Sequence, residues 1–279
     1  MVQQCLSVIL LPFSTHTLQY HLLADDTQSY DHTSVSAVPS LLTRLSSCVA
    51  DLANSYASLR LQLNPAKTEF ILFGSHRSLA KFSDDSRAIT VCSSVIQCTN
   101  VVRDLGILLD CEMTMQRHIS KVTIVCFYHL RRLQRQIRNY VKQTLMAQLV
   151  MSLVITRIDY CNSILAGLPA CRLVPLRRVQ NATARLVLNL DRRAHISPAL
   201  QQLHWIPVKH RVTFKIATLM HQILQRRCPS YLADLVTFNM TYSQRRHLRS
   251  STTRSAAIRR TQTQFGKRAF SVLRYRCLE

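Results

Sequence analysis

Two adjacent carboxylates, Asp25 and Asp26, lie between two short segments whose pattern predicts a strand, a tight turn and a second strand. Carboxylates at such a turn supply the hard oxygen ligands that Mg²⁺ prefers. A phosphoryl-transfer site uses ligands of this kind to hold one metal ion on the attacking oxygen and one on the leaving oxygen. A second pair, Asp84–Asp85, lies in a polar, Ser-flanked segment and is interpreted as solvated. The first pair is therefore a candidate Mg²⁺ site, although a paired Asp is weakly specific by itself.

The residues around this pair predict an α+β order over residues 1–112. Two short strands flank the carboxylates, and a helix then begins at Pro39–Ser40 and runs to about Leu61, because apolar residues recur at steps of three and four. Asn64–Pro65 ends this helix. Residues 75–88 are predicted to form a polar loop. Further strands are predicted at residues 68–73, 89–91 and 101–109.

From residue 113 onward the apolar spacing predicts helices instead. They span residues 115–137, 145–165, 174–190 and 208–226. From Thr241 the chain is rich in Ser, Thr and Arg and poor in large apolar residues, and it is predicted to be a mobile basic tail. The sequence thus predicts a mixed region at 1–112, a basic helical region at 113–240 and a tail at 241–279.

Charge is divided unequally between these regions. Residues 1–115 carry 7 basic and 10 acidic side chains, a net charge of −3, whereas residues 116–279 carry 29 basic and 4 acidic ones, a net charge of +25. Arginine accounts for 29 of the 36 basic residues, and its planar fork suits phosphate. This pattern favours a nucleic-acid partner; a generally basic, solvated helical surface is the alternative. The candidate contacts are Arg131, Arg132, Arg135, Arg138, Arg177, Arg178 and Arg185.

Composition also argues against several classes of protein. The chain contains only 4 glycines, which argues against glycine-rich nucleotide-binding loops. No apolar run approaches the roughly 20 residues of a membrane span. The 10 cysteines include no C-x₂-C pair, so zinc is not expected, and they are interpreted as core residues in a reducing compartment. Residues 5–13 lack the preceding basic residues of a secretion signal. We expect an intracellular protein, with nucleus and cytoplasm equally open.

Three blocks of sequence resemble, in order, the reverse transcriptases of non-LTR (LINE-type) retrotransposons. Residues 20–30 are similar to that family's YADD catalytic box, residues 63–74 to its N-x-x-K-T-E strand, and residues 102–110 to its Leu-Gly primer grip. Three ordered blocks are far more specific than any one of them. The resemblance continues through the helical half at residues 159–163, 168–169, 178–182, 203–208 and 268–272.

The resemblance implies a partial reverse-transcriptase palm, formed by a few-stranded antiparallel sheet and a helix, followed by a mainly helical thumb. It implies RNA-directed DNA synthesis as the family's activity. By position, Asp25 and Asp26 would be the palm carboxylates that bind Mg²⁺, and Lys67 would lie near the incoming triphosphate. Leu105 and Gly106 would help to seat the primer end. The partners implied are RNA and DNA as a primer–template duplex. Without the resemblance, Lys67 is interpreted as an ordinary exposed lysine after a proline turn.

The chain departs from the family pattern at its amino end. The family's first palm carboxylate and its glycine-rich template block precede the catalytic box, whereas the 24 residues before Asp25 contain no acidic residue and no glycine. Leu23 also stands where the family has an aromatic residue. We therefore expect an amino-terminally truncated fragment. A non-catalytic basic helical nucleic-acid-binding protein is the alternative, and an unselected reading frame with an uncooperative melt is a third. The oligomeric state stays open.

The chain by itself is expected to show no polymerase activity, because a two-metal site that lacks one of its usual carboxylates holds its metals poorly. The measurement is extension of a primer on an RNA template with Mg²⁺ and deoxynucleoside triphosphates. Nucleotide incorporation that disappears in Asp25→Ala would contradict this prediction.

Overall fold

The structure of the chain, a computed structural model, describes residues 12–23, 26–83, 87–236, 261, 263 and 266–273. The chain divides into two compact units, Met1–Met113 and Thr114–Glu279. This division lies one residue after the boundary predicted between residues 112 and 113. The first unit combines strands with helices and the second is helical in its described residues, so the chain is α+β, as predicted.

All strands of the first unit form antiparallel pairs between neighbours in the chain, giving three separate two-stranded sheets in the described residues. The strands are β1 (Gln19–Leu23), β2 (Asp26–Tyr30), β3 (Ala88–Val91), β4 (Ser94–Gln97), β5 (Val101–Asp104) and β6 (Ile107–Asp110). The predicted hairpins at residues 18–30 and 101–109 are confirmed. The expected few-stranded sheet is not confirmed, because the three hairpins share no continuous ladder of hydrogen bonds.

The long helix α1 (Val38–Ser58) packs two apolar faces against different strands. It begins one residue before the predicted start and ends three residues before the predicted end. One face joins the helical turn at residues 12–15 and the start of β1 in a cluster of Phe13, Leu18, Leu41, Cys48 and Leu52. The other joins β3 in a cluster of Val38, Leu42, Phe70, Ile89 and Val91. The helix therefore supplies the core on which the hairpins are assembled.

The prediction of a strand at residues 68–73 is wrong. That segment contributes one bridge, Phe70 with Cys98, and the Phe70 carbonyl accepts from Thr99 N–H at 2.9 Å. Directly after the segment, Gly74 N–H donates to Cys111 O at 3.0 Å. Apolar spacing indicated an extended segment, but no neighbouring strand provides a ladder. A short helix, α2 (His76–Leu79), lies in the predicted loop, where the Ser75 hydroxyl accepts from Ser78 N–H.

The second unit consists of helices joined by short turns. They are α3 (Gln116–Arg132), α4 (Gln143–Val150), α5 (Thr156–Asp159), α6 (Ala170–Leu188), α7 (Ile196–Gln202), α8 (Val208–Leu224), α9 (Ser230–Asp234) and α10 (Phe270–Leu273). Widened π turns follow α3 at Leu133–Ile137 and α4 at Met151–Ile155. The predicted helix at 145–165 is interrupted, because Cys161 adopts a left-handed backbone with φ 49°. No helix among the described residues has the length and hydropathy to span a membrane.

The carboxyl-terminal tail is described only in part. Most of the predicted mobile tail at 241–279 lies outside the described residues. Phe270, however, packs against the buried cluster of Met220, Ile223 and Val236. This piece therefore contacts the helices, and the mobility of the tail stays a prediction.

Buried thiols occupy core positions in both units, as predicted for Cys48 and Cys126. Burial, with Asp51 adding to it, raises the pKa of Cys48 to about 11. Burial also raises the pKa of Cys126 to about 11, against the opposing effect of Arg157. Both side chains are protonated at neutral pH and pack as small apolar groups.

A few polar contacts hold the helices of the second unit together. Gln180 on α6 is 1% exposed; its Nε2 donates to Ile206 O at 2.8 Å and its Oε1 accepts from Val208 N–H at 3.1 Å. Arg211 on α8 donates to the same Ile206 carbonyl and forms an ion pair with Asp159. Burial nevertheless leaves the pKa of Asp159 above its ordinary value, despite the lowering effect of Arg211. These contacts join the blocks at residues 159–163, 178–182 and 203–208.

Replacement of Gln180 is expected to destabilise the second unit. Gln180→Ala leaves the buried Val208 N–H without its partner and removes one donor from the Ile206 carbonyl, a loss of about 2 kcal/mol. The measurement is unfolding by urea, monitored by the fluorescence of Trp205. This residue is the single tryptophan and directly precedes Ile206. Asn181→Ala, at the neighbouring half-buried position, is the control and should change the free energy of unfolding little. Equal losses in the two variants would contradict the assignment.

Candidate functional site

The three sequence blocks of the first unit lie next to one another in the fold. The Gln28 side chain on β2 donates to the Asp104 carboxylate at the end of β5. The Glu69 carboxylate accepts from the backbone N–H of Arg103 at 3.0 Å. The first hydrogen bond links the block at 20–30 to the block at 102–110. The second links the block at 63–74 to the same block at 102–110. Segments that are distant in sequence are thus brought into one region.

Asp26 is the first residue of β2, pairs with Leu23 across the hairpin and is exposed. Alternate residues of a strand share a face, so Asp26 lies on the same face as Gln28, whose side chain contacts Asp104. Asp25 lies outside the described residues. Among the residues that are described, no group of three His, Cys, Asp or Glu is placed to hold a metal ion. The described side chains alone do not fit a two-metal centre, and Mg²⁺ at Asp25 and Asp26 stays a prediction.

Lys67 lies at the end of the 3₁₀ turn Pro65–Lys67 and is exposed. The Asn64 side chain accepts from Ala66 N–H at 3.1 Å and stabilises the start of this turn. Within the described part of the chain, no hydrogen bond or ion pair connects Lys67 with Asp26. The geometry is therefore compatible with both interpretations of Lys67, as a triphosphate contact and as an exposed lysine.

Leu105 and Gly106 form the two-residue turn between β5 and β6, where Asp104 pairs with Ile107. Both have positive φ, 44° for Leu105 and 86° for Gly106, as a type I′ turn requires. Glycine adopts this conformation freely, whereas a leucine there is strained. The Leu105 side chain is nevertheless 43% exposed, so core packing does not explain why leucine occupies the position. A strained, exposed apolar tip is a candidate contact point.

In the second unit, one side of α3 presents a stripe of exposed side chains. Its members recur at steps of three and four and therefore share a helix face. They are Arg117, Lys121, Ile124, Tyr128, Arg131 and Arg135. The opposite side is buried through Ile119, Cys126 and Leu130. The stripe combines cations with Ile124 and Tyr128, which are 66% and 58% exposed.

The carboxyl end of this stripe forms a pocket of about 450 Å³ lined by Tyr128, Arg131, Arg132, Arg135 and Gln136. The sequence predicted its three arginines but not Tyr128 or Gln136. Tyr128 could have been found from its spacing, four residues after Ile124 and three before Arg131. Gln136 could have been found in the same way, since it lies four residues after Arg132 and eight after Tyr128.

The other predicted arginines have different surroundings. Arg177 and Arg178 are exposed on α6, while Arg138 is half-buried after the π turn. Arg185 is also half-buried, and its guanidinium donates to Ala194 O at 3.3 Å. That contact braces the loop after α6, and we therefore leave Arg185 out of the candidate surface. The structure brings Arg131, Arg132 and Arg135 together, and no described contact joins them to Arg177 or Arg178.

Leu105→Asn is expected to stabilise the β5–β6 hairpin by about 1 kcal/mol, because asparagine adopts the left-handed conformation with less strain. The measurement is native-state hydrogen exchange of the amides in Val101–Asp104 and Ile107–Asp110. Gly106→Ala, at a positive φ, is the control of opposite sign and should speed exchange. Slower exchange in Gly106→Ala, or faster exchange in Leu105→Asn, would show that turn strain does not govern this hairpin.

Comparisons of the chain with protein-family models, with curated proteins and with solved structures find no match. The features of this chain that bear on function are the three joined blocks of the first unit and the basic stripe of the second.

Proposed function

We propose that the chain is a palm and thumb portion of a LINE-type reverse transcriptase whose second unit binds the nucleic-acid duplex by its phosphates. The observation that carries this proposal is the exposed stripe on α3, which ends in the clustered guanidinium groups of Arg131, Arg132 and Arg135. Arginine forks match phosphate oxygens in geometry as well as in charge.

The charges of the second unit support an anionic partner. Between residues 116 and 236 there are 19 basic and 3 acidic side chains. One of the acidic three, Asp159, is already paired with Arg211. In the described part of the chain, Arg131 and Arg135 form neither an ion pair nor an intramolecular hydrogen bond. A polyanion satisfies such a surface, and a nucleic-acid backbone releases its counterions on binding.

The palm part of the proposal rests on the first unit. Hydrogen bonds from Gln28 to Asp104 and from Arg103 N–H to Glu69 join the blocks that resemble the catalytic box, the primer grip and the strand between them. A palm needs these segments together, since the primer end must meet the metal site. The roles of Asp25, Asp26 and Lys67 come from the resemblance.

A non-catalytic nucleic-acid-binding protein is the second candidate. It is favoured because the stripe contains no residue of the candidate metal site. All residues of the stripe belong to α3 and the turn after it, and none is a metal-ligand type. Binding by the stripe alone therefore needs no divalent ion. Duplex binding that persists in a chelator, with no effect of Asp26→Asn, supports this candidate; binding or synthesis that requires Mg²⁺ supports the polymerase.

Reversing the charge of the stripe is expected to weaken duplex binding. Arg131→Glu/Arg135→Glu should lower the affinity of the full chain for an RNA–DNA duplex by at least about tenfold and reduce the slope of log K against log salt by about 2, one per lost phosphate contact. The measurement is fluorescence anisotropy of a labelled duplex across a salt series.

The matched control is Arg77→Glu/Lys81→Glu, which makes the same change of net charge at exposed positions of the first unit. It should leave affinity and slope close to those of the unmodified chain. Equal losses in both double variants would show that net charge, and not the stripe, attracts the duplex. A flat salt response of the unmodified chain would overturn the proposal altogether.

A further inference from the structure

We propose that the pocket at the carboxyl end of α3 binds a nucleotide of single-stranded nucleic acid, with an unpaired base stacked on Tyr128 and phosphates held by Arg131, Arg132 and Arg135. This inference rests on the proposed nucleic-acid binding and deepens it. It names the form of nucleic acid that this pocket takes, a strand with unpaired bases.

The exposed ring of Tyr128 is the first reason. A surface that grips only phosphates needs cations, and a duplex keeps its base faces inside its own stack. Tyr128, 58% exposed, instead lines a pocket with three arginines. Stacking platforms for single strands combine aromatic rings with basic grooves in this way, and they tolerate any base because every base has a π face. The ring therefore fits an unpaired base better than a duplex backbone.

The ring of Tyr128 also has a neighbour that restrains it. The His129 ring lies edge-on to it, with centroids 5.4 Å apart and planes inclined by 73°. Burial, and after it the charges of Arg157 and Arg132, lower the pKa of His129, so its imidazole is neutral at physiological pH. An edge-to-face contact of this kind limits the ring's rotation. Less conformational entropy is then lost when a base stacks on Tyr128.

The π turn after α3 completes the pocket. The N–H of Arg138 donates to Leu133 O at 2.9 Å, five residues earlier, and this widens the turn. Gln136 lies in this turn, four residues after Arg132 and eight after Tyr128, and it therefore reaches the same side as Tyr128. Gln136 Oε1 accepts from Arg132 Nε at 3.1 Å, and the terminal nitrogens of Arg132 keep their donors for a phosphate. Such π turns recur at functional sites.

The size of the pocket agrees with one nucleotide. Its volume of about 450 Å³ lies within the range of small-ligand sites, about 300–1,000 Å³. The pocket offers an aromatic face for the base and guanidinium groups for the phosphate, the two parts of a nucleotide that differ most in polarity.

The experiment compares two labelled single strands of equal length and charge, an oligothymidylate and the same strand with abasic sugars throughout. The full chain should bind the base-bearing strand about tenfold more tightly, the effect expected from stacking on one aromatic ring. Tyr128→Ala should remove this preference, so that the two strands bind with similar affinity. Tyr128→Phe, which retains the ring, should keep the preference. Tyr140→Ala is the control, because Tyr140 is 87% exposed and lies outside the pocket.

The outcomes separate this inference from the proposed function. Equal affinities of the unmodified chain for both strands, with salt-dependent binding retained, overturn the stacking site and leave phosphate binding standing. Loss of the preference in Tyr140→Ala as well as in Tyr128→Ala overturns the assignment to this pocket. If the unmodified chain binds neither of the single strands nor the duplex, the proposed function itself is overturned. Circular dichroism of each variant confirms that the helices are retained.

Discussion

Mutual repulsion among its cations constrains how the second unit can fold. Nineteen basic side chains accompany three acidic ones between residues 116 and 236, so neutral groups must satisfy most of the buried polar contacts. Gln180 does this for the backbone at Ile206 and Val208, and the ion pair of Asp159 with Arg211 lies nearby. Most of the remaining cations stay on the outside, where water and counterions screen them. The basic surface is a consequence of this arrangement as well as a site for an anion.

The first unit meets a different constraint, since three short hairpins have little stability by themselves. Helix α1 gives them a common core through its two apolar faces. The hydrogen bonds from Gln28 to Asp104 and from Arg103 N–H to Glu69 then set which loops are neighbours. The turn with the strained Leu105 is thereby held near the strand that begins at Asp26.

Local patterns predicted the elements whose information lies within a few residues of sequence. The hairpins at residues 18–30 and 101–109 and helices α1, α3, α4, α6 and α8 follow from strand alternation, turn residues and helical spacing. The strand expected at 68–73 failed because a ladder needs a partner, and Phe70 finds only a single bridge to Cys98. Strand β4 and helix α7 were not predicted. Helix α7 buries Ala199 and Leu200 against Ala184 of α6, a distant contact that no local pattern contains.

The sequence by itself determined the division of charge, the positions of the adjacent carboxylates and the set of arginines available to a polyanion, because these depend only on residue identity and order. Tertiary structure decided which arginines are accessible. Arg131, Arg132 and Arg135 meet in one pocket with Tyr128, whereas Arg185 is turned onto Ala194 O. Accessibility depends on which helix faces pack together and on which loop carbonyls, such as Ala194 O, lie within reach of a guanidinium group. Both are properties of the folded unit, and helical spacing alone does not contain them.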